Sequence, residues 1–275
     1  MAIPPASPQL VVSVHTVCQR CIMSESELES LRGRTFKSRT LRGSRFMGCD
    51  LGDVVVRGSD VSGMEIDSPW LLEGGSSLLV NGVDVVPLVD ADLNRRFPGR
   101  ELRGAEDLDG LRAAWAALER TWAATLDRAA SMPAGTVDAS IDDEWSLAQT
   151  LRHLVMATDT WLGKAILEQE QPYHPVGLPN DDNDTDAYDE SVFSLETPSF
   201  GDVIEVRAER QMMVREFLAG VAPEELARPR KNPHAPAHKE TVLSCLRTIL
   251  EEEWEHHRYA VRDLDGLAAA QPQAG

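Results

Sequence analysis

Cysteine is scarce in this chain: four residues in 275, at positions 18, 21, 49 and 245, form no regular framework. A disulfide scaffold is thereby excluded, and a reducing, cytoplasmic setting is expected. Cys18 and Cys21 make a lone CxxC with no second ligand pair and no strand-to-helix context, so it does not indicate a zinc or redox site. Basic residues are also outnumbered, 27 Lys and Arg against 45 Asp and Glu, for a net charge of −18. Phosphate binding needs clustered cations, so neither nucleic acid nor an anionic membrane is an expected partner. No apolar run approaches a membrane span, and the first residues lack the basic start and apolar core of a secretory signal. Hydrophobic residues reach 42%, enough for a normal core, and the length suits two modest domains. Residues 1–31 read as a disordered extension, with Met23 an alternative start, and residues 269–275 as a disordered tail.

An internal period of five opens the ordered part. From Phe36, apolar residues recur at Leu41, Phe46, Leu51, Val56, Val61 and Ile66, a spacing that neither a helix nor a flat strand produces. Glycines at 43, 48, 52, 58 and 63 suit tight corners between them. Residues 32–70 resemble the pentapeptide-repeat family, which implies a short right-handed quadrilateral β-helix with its central apolar residues turned inward. Fewer than two coils cannot bury their own faces, so the segment is expected to lean on the second domain. Its first half is basic, through Arg32, Arg34, Lys37, Arg39, Arg42 and Arg45.

Residues 71–104 form a connector, with turn signals at Gly74, Gly75 and Asn81-Gly82 and a short helical pattern over 87–96. Beyond it lie four long amphipathic segments. The first, 108–130, carries Leu111, Trp115, Leu118, Trp122 and Leu126. The second opens on Ser146 with Gln149 three residues later, a capping box, and runs to about 169. The third starts after Ser199 and ends before Pro223, and the last spans about 241–267. With no convincing strand between them, residues 105–268 are expected to be an antiparallel four-helix bundle, its first two helices neighbours. The acidic stretch 181–190 is either a lid or disordered.

On the last helix the apolar stripe passes through Val242, Leu246, Ile249, Ala260, Leu264 and Leu267, with Glu253 and His256 in its middle. Buried carboxylates and imidazoles need partners. Glu252, four residues before His256, and Glu253, three before, flank it on opposite sides, and either could share a metal with it. His153, at the edge of the second helix's apolar face, could supply a third ligand. Two His and one carboxylate leave coordination positions open, as a catalytic zinc or iron site requires. The competing reading is a solvated run, Glu251, Glu252, Glu253 and Glu255, paired with Arg247, Arg258 or Arg152. His257 faces away from His256 and is the second choice; His174, His234 and His238 sit in proline-containing loops without partners at useful spacing.

The stretch from Glu144-Trp145-Ser146 to Arg152-His153-Leu154, with Glu252-Glu253-Trp254-Glu255-His256 and Arg262-Asp263-Leu264, resembles the DinB superfamily from about 108 to 267. Glu252, Trp254 and His256 are similar to the Glu-x-Trp-x-His of its mycothiol-dependent maleylpyruvate isomerases. The resemblance implies His153, Glu252 and His256 as ligands of a divalent metal, zinc first, with nickel, iron or manganese as alternatives. It also implies a small-molecule substrate and a low-molecular-weight thiol used in S-transfer or isomerisation. No general base is identifiable: Asp159 is poorly spaced, and Tyr173 and Tyr188 lie in a loop. The alternative is a non-catalytic interaction protein acting through the repeat surface, with a structural metal or none. A homodimer is the default for a bundle with a wide apolar face.

Overall fold

A computed structural model describes residues 30–72, 75–179, 188–194, 196–235 and 237–270. The CxxC, Met23, most of the amino-terminal extension, the acidic stretch up to 187 and residues 271–275 lie outside the described residues. The described fold is mainly helical, with two small hairpins. No helix among the described residues is long and apolar enough to cross a membrane.

Helix starts obey local hydrogen bonding. Helix α1 (Val86–Arg96) carries Pro87 in its first turn, just after a hairpin of β1 (Leu79–Val80) and β2 (Val83–Asp84), whose turn places Asn81 and Gly82 at positive φ. Helix α2 (Leu108–Ala130) is capped by Asp107, whose carboxylate accepts from the Gly110 N–H at 2.8 Å. Capping boxes at Ser146/Gln149 and Ser199/Asp202 start α3 (Leu147–Thr158) and α4 (Phe200–Gly220). Helix α5 (Val242–Ala270) starts where Thr241 and Ser244 exchange hydrogen bonds, and runs two residues into the stretch expected to be a tail.

Two features depart from expectation within the bundle. Helix α3 does not continue as α-helix to 169 but passes into a π-helical turn, Asp159–Ile166. A hairpin of β3 (Pro229–Lys231) and β4 (Lys239–Thr241) also stands between α4 and α5, where no strand was expected. Gly163 permits the π-turn's close approach to Pro172, since a Cβ there would lie 2.6 Å from the proline Cβ.

α2 and α3 each pack against α4 and α5, so they lie across the bundle from each other rather than as the neighbours expected. Their connection, residues 131–146, contains a 3-10 turn at Thr136–Asp138 and is long enough to cross the bundle end. The shared core contains Leu111, Leu118, Trp122, Leu151, Leu154, Val203, Ile249 and Leu264. Each such side chain contributes about 1.5–3 kcal/mol when fully buried.

The repeat segment turns a corner every five residues. Hydrogen-bonded turns close at Leu31–Arg34, Leu41–Ser44, Leu51–Val54 and Val61–Met64. Gly33, Gly43, Asp53 and Gly63 take positive φ in these turns, and Ser38, Gly48 and Gly58 do so midway between them. Asp53 thus takes the role expected of Gly52. The β-helix implied by resemblance is not observed: no strands pair among the described residues of the segment. Phe36, Leu41, Phe46, Leu51, Val56, Val61 and Ile66 stay between 50% and 61% exposed, because so few corners supply no neighbouring coil to cover them. The segment does contact α5, where Asp67 accepts from Arg258 at 2.7 Å and from Arg262 at 3.3 Å.

Candidate metal centre

Neighbouring residues on α5 have opposite fates. Glu253 and His257 continue the inward stripe and are buried. Glu253 pairs with Arg207 of α4, while the His257 Nε2 meets the Thr125 hydroxyl of α2 at 2.8 Å. Burial pushes the His257 imidazole down to about 4 and holds the Glu253 carboxyl above the usual carboxylate range, the latter opposed by Arg207. Glu252 and His256 instead face the seam with α3, where His153 meets them. One ligand atom from each of His153, Glu252 and His256 lies within 4.8 Å of the others.

Backbone carbonyls set both tautomers. The His153 Nδ1 lies 3.3 Å from the Leu178 carbonyl oxygen, and the His256 Nδ1 lies 2.8 Å from that of Glu252. A carbonyl only accepts, so each Nδ1 is the donor there, and in a neutral ring the lone pair is left on Nε2. His256 is pushed down to about 4, chiefly by burial and then by His153, with Glu252 opposing, so it is neutral at pH 7. The His153 Nε2 lies 3.5 Å from the Glu252 Oε2, and the His256 Nδ1 lies 3.4 Å from the same oxygen.

The donor set fits a divalent metal. At metal–ligand distances of about 2.0–2.2 Å, two ligands of a tetrahedral centre lie roughly 3.4 Å apart, close to the observed His153–Glu252 separation. Orienting carbonyls behind metal-ligating histidines are the usual arrangement. The Trp145 ring lies over both imidazoles, with centroids 4.9 Å from His153 and 6.3 Å from His256, and the two imidazoles stack at 4.6 Å. Trp145 immediately precedes the Ser146 cap, so the α3 capping box holds this cover in place.

Beside the cluster is a cavity of about 30 Å³ lined by His153, Met156, Ala157, Thr160, Trp161, His234 and Glu252. Thr160 and Trp161 come from the π-helical turn, a backbone form frequent at functional sites. Asp159 anchors that turn: its carboxylate accepts from Arg210 at 2.6 Å and from the His174 N–H at 2.9 Å. Its carboxyl is raised by burial, with Arg210 opposing, and the ion pair leaves it a structural role. Tyr173 and Tyr188 pack with Phe193 and Met156 into an aromatic cluster. His238 is exposed. Arg152 donates to the Val176 carbonyl, not to the glutamate run, whereas Glu255 does pair with Arg258 at 3.0 Å. Glu144 and Arg262, far apart in sequence, form an ion pair. Sequence spacing missed His234 because the β3–β4 hairpin, not a helix, carries it to the cavity.

Fold and site together define a helix bundle with two histidines and one carboxylate converging at an interhelical seam, a donor set of the kind that binds a cation. A family model described as the DinB superfamily matches residues 117–260, and the chain belongs to that superfamily. No curated protein and no solved structure shows a significant similarity to it.

Proposed function

We propose that this chain is a metal-dependent enzyme in which His153, Glu252 and His256 hold one divalent cation, zinc first among the candidates. The reading is carried by the convergence of one possible ligand atom from each of His153, Glu252 and His256 to within 4.8 Å of one another at the α3–α5 seam. Superfamily membership supports it, since DinB proteins usually bind metal. Three protein ligands leave coordination positions open, the mark of a catalytic rather than a closed structural site. When bound, the metal supplies a thiolate or hydroxide at neutral pH by stabilising the deprotonated form.

The chain's own residues orient and shield. Leu178 and Glu252 carbonyls hold the imidazole tautomers, Trp145 covers one side, and Met156, Thr160 and Trp161 wall the cavity. At about 30 Å³ the cavity admits one or two water-sized atoms, which suits a thiol sulfur or a water. The likeness of Glu252-x-Trp254-x-His256 to the mycothiol-dependent isomerases supports a low-molecular-weight thiol, used in S-transfer or isomerisation of a small electrophile.

Metal content of protein purified without added metal tests the site. The expected result is about one divalent ion per chain in the wild type and its loss in His153→Ala and His256→Ala. Full occupancy in both variants would remove the site. Thiol consumption against a panel of electrophiles, with and without chelator, then tests the chemistry. A second reading, a non-catalytic interaction protein, is favoured by the exposed apolar row from Phe36 to Ile66, a surface of the kind that marks partner sites. It takes precedence if no chelator-sensitive turnover is found. In either reading the repeat segment is proposed to be a short pentapeptide-type coil.

A further inference from the structure

We infer that His234 forms the far wall of the metal cavity and donates a hydrogen bond to the small anionic ligand atom, thiolate or hydroxide, held at the open coordination positions. This rests on the metal site proposed above and adds to it a residue from outside the helices.

The hairpin is built to present this side chain. Asn232, only 4% exposed, accepts through its Oδ1 from the backbone N–H groups of His234 at 2.9 Å and Ala235 at 3.0 Å. Its Nδ2 donates to the buried Glu240 Oε1 at 2.9 Å, and the other Glu240 oxygen accepts from the Ser244 hydroxyl at 2.6 Å. That chain of bonds ties the loop to the first turn of α5, the helix that carries Glu252 and His256. A loop braced by buried polar side chains holds its tip in one place.

The tip is the His234 ring. It lies against Trp161, with centroids 5.8 Å apart, and lines the same cavity as His153 and Glu252. Among the described residues its ring nitrogens make no hydrogen bond, so their donor capacity is left for what the cavity contains. The Glu252 carboxylate and, more weakly, the Lys164 ammonium of the π-helical turn act on His234, so its ring stands in the field of the same glutamate that faces the cavity. The cavity of about 30 Å³ restricts the anionic ligand to a single small head group.

Full-length protein loaded with Co²⁺ provides the test, with azide as the anionic probe and 2-mercaptoethanol as the thiol probe, both monitored in the visible cobalt bands. His234→Ala is expected to bind Co²⁺ as the wild type does but to bind azide and thiol about tenfold more weakly, the effect of one lost hydrogen bond to a charged group. His234→Gln, which keeps a donor, should recover most of that loss, and Asn232→Ala should reproduce part of it. Unchanged probe affinities in His234→Ala, or no rescue by His234→Gln, would overturn the inference. So would loss of Co²⁺ binding in His234→Ala, which would make the residue a ligand instead. A wild type that takes up no Co²⁺ would overturn the metal site itself, an outcome distinct from the others.

Discussion

Replacing Arg207 by Met tests how the bundle separates Glu253 from Glu252. Arg207 and Glu253 are 2% and 1% exposed, and the substitution keeps most of the arginine stem while removing its charge. A buried pair broken from one side costs about 3–5 kcal/mol, because the remaining charge has lost both water and partner. At about 2–4 °C per kcal/mol for a domain of this size, melting should fall by roughly 6–20 °C. The loss should depend on pH. Burial already raises the Glu253 carboxyl, and Arg207 opposes that rise, so the lone carboxyl titrates higher still. A raised carboxyl pKa contributes stability below the unfolded value that is lost as pH rises, so the gap to wild type should be narrower at pH 5 than at pH 8. Arg207→Met combined with Glu253→Met should recover most of the stability, since a well-packed apolar pair often matches or exceeds a buried ion pair. Thermal and urea melts monitored by circular dichroism at both pH values measure these differences. Metal content should not change in the folded variants. A single variant as stable as wild type at pH 8 would refute the energetic reasoning; one that folds but loses metal would place Glu253 in the site.

Two further outcomes rest on particular contacts. Gly163→Ala should cost about 1–3 kcal/mol in thermal melts, since its Cβ would meet that of Pro172 at 2.6 Å, whereas Gly220→Ala, with nothing within 4 Å, should stay near neutral. Glu251 is pushed up to about 7 by burial, so its contribution to stability is complete below about 4.5 and declines as pH rises toward 7. Glu251→Gln should flatten that part of the urea midpoint profile of metal-free protein, by at most roughly 3 kcal/mol; a profile as steep as wild type would show that another group titrates there.

Helix starts were legible because they depend on contacts within one or two turns of chain, whereas the inward face of α5 was read one residue off at its second polar member: Glu253 is buried there as expected, but with His257 rather than His256. Ser146 with Gln149 and Ser199 with Asp202 are complete capping signals by themselves, and both begin helices where expected. Periodicity likewise brought His256 and an adjacent carboxylate to a position that needs a partner. It could not choose between Glu252 and Glu253, because residues adjacent on a helix point about 100° apart and the helix does not specify what stands on either side. Packing decides: α4 brings Arg207 to Glu253, and α3 brings His153 to Glu252. The crossing of α2 and α3, the π-helical turn and the arrival of His234 on its hairpin are of the same kind. Each depends on contacts between segments distant in sequence, which local propensity and spacing do not encode. By itself the sequence determined the helices and proposed the ligands; only the tertiary structure decided which side chains share one seam.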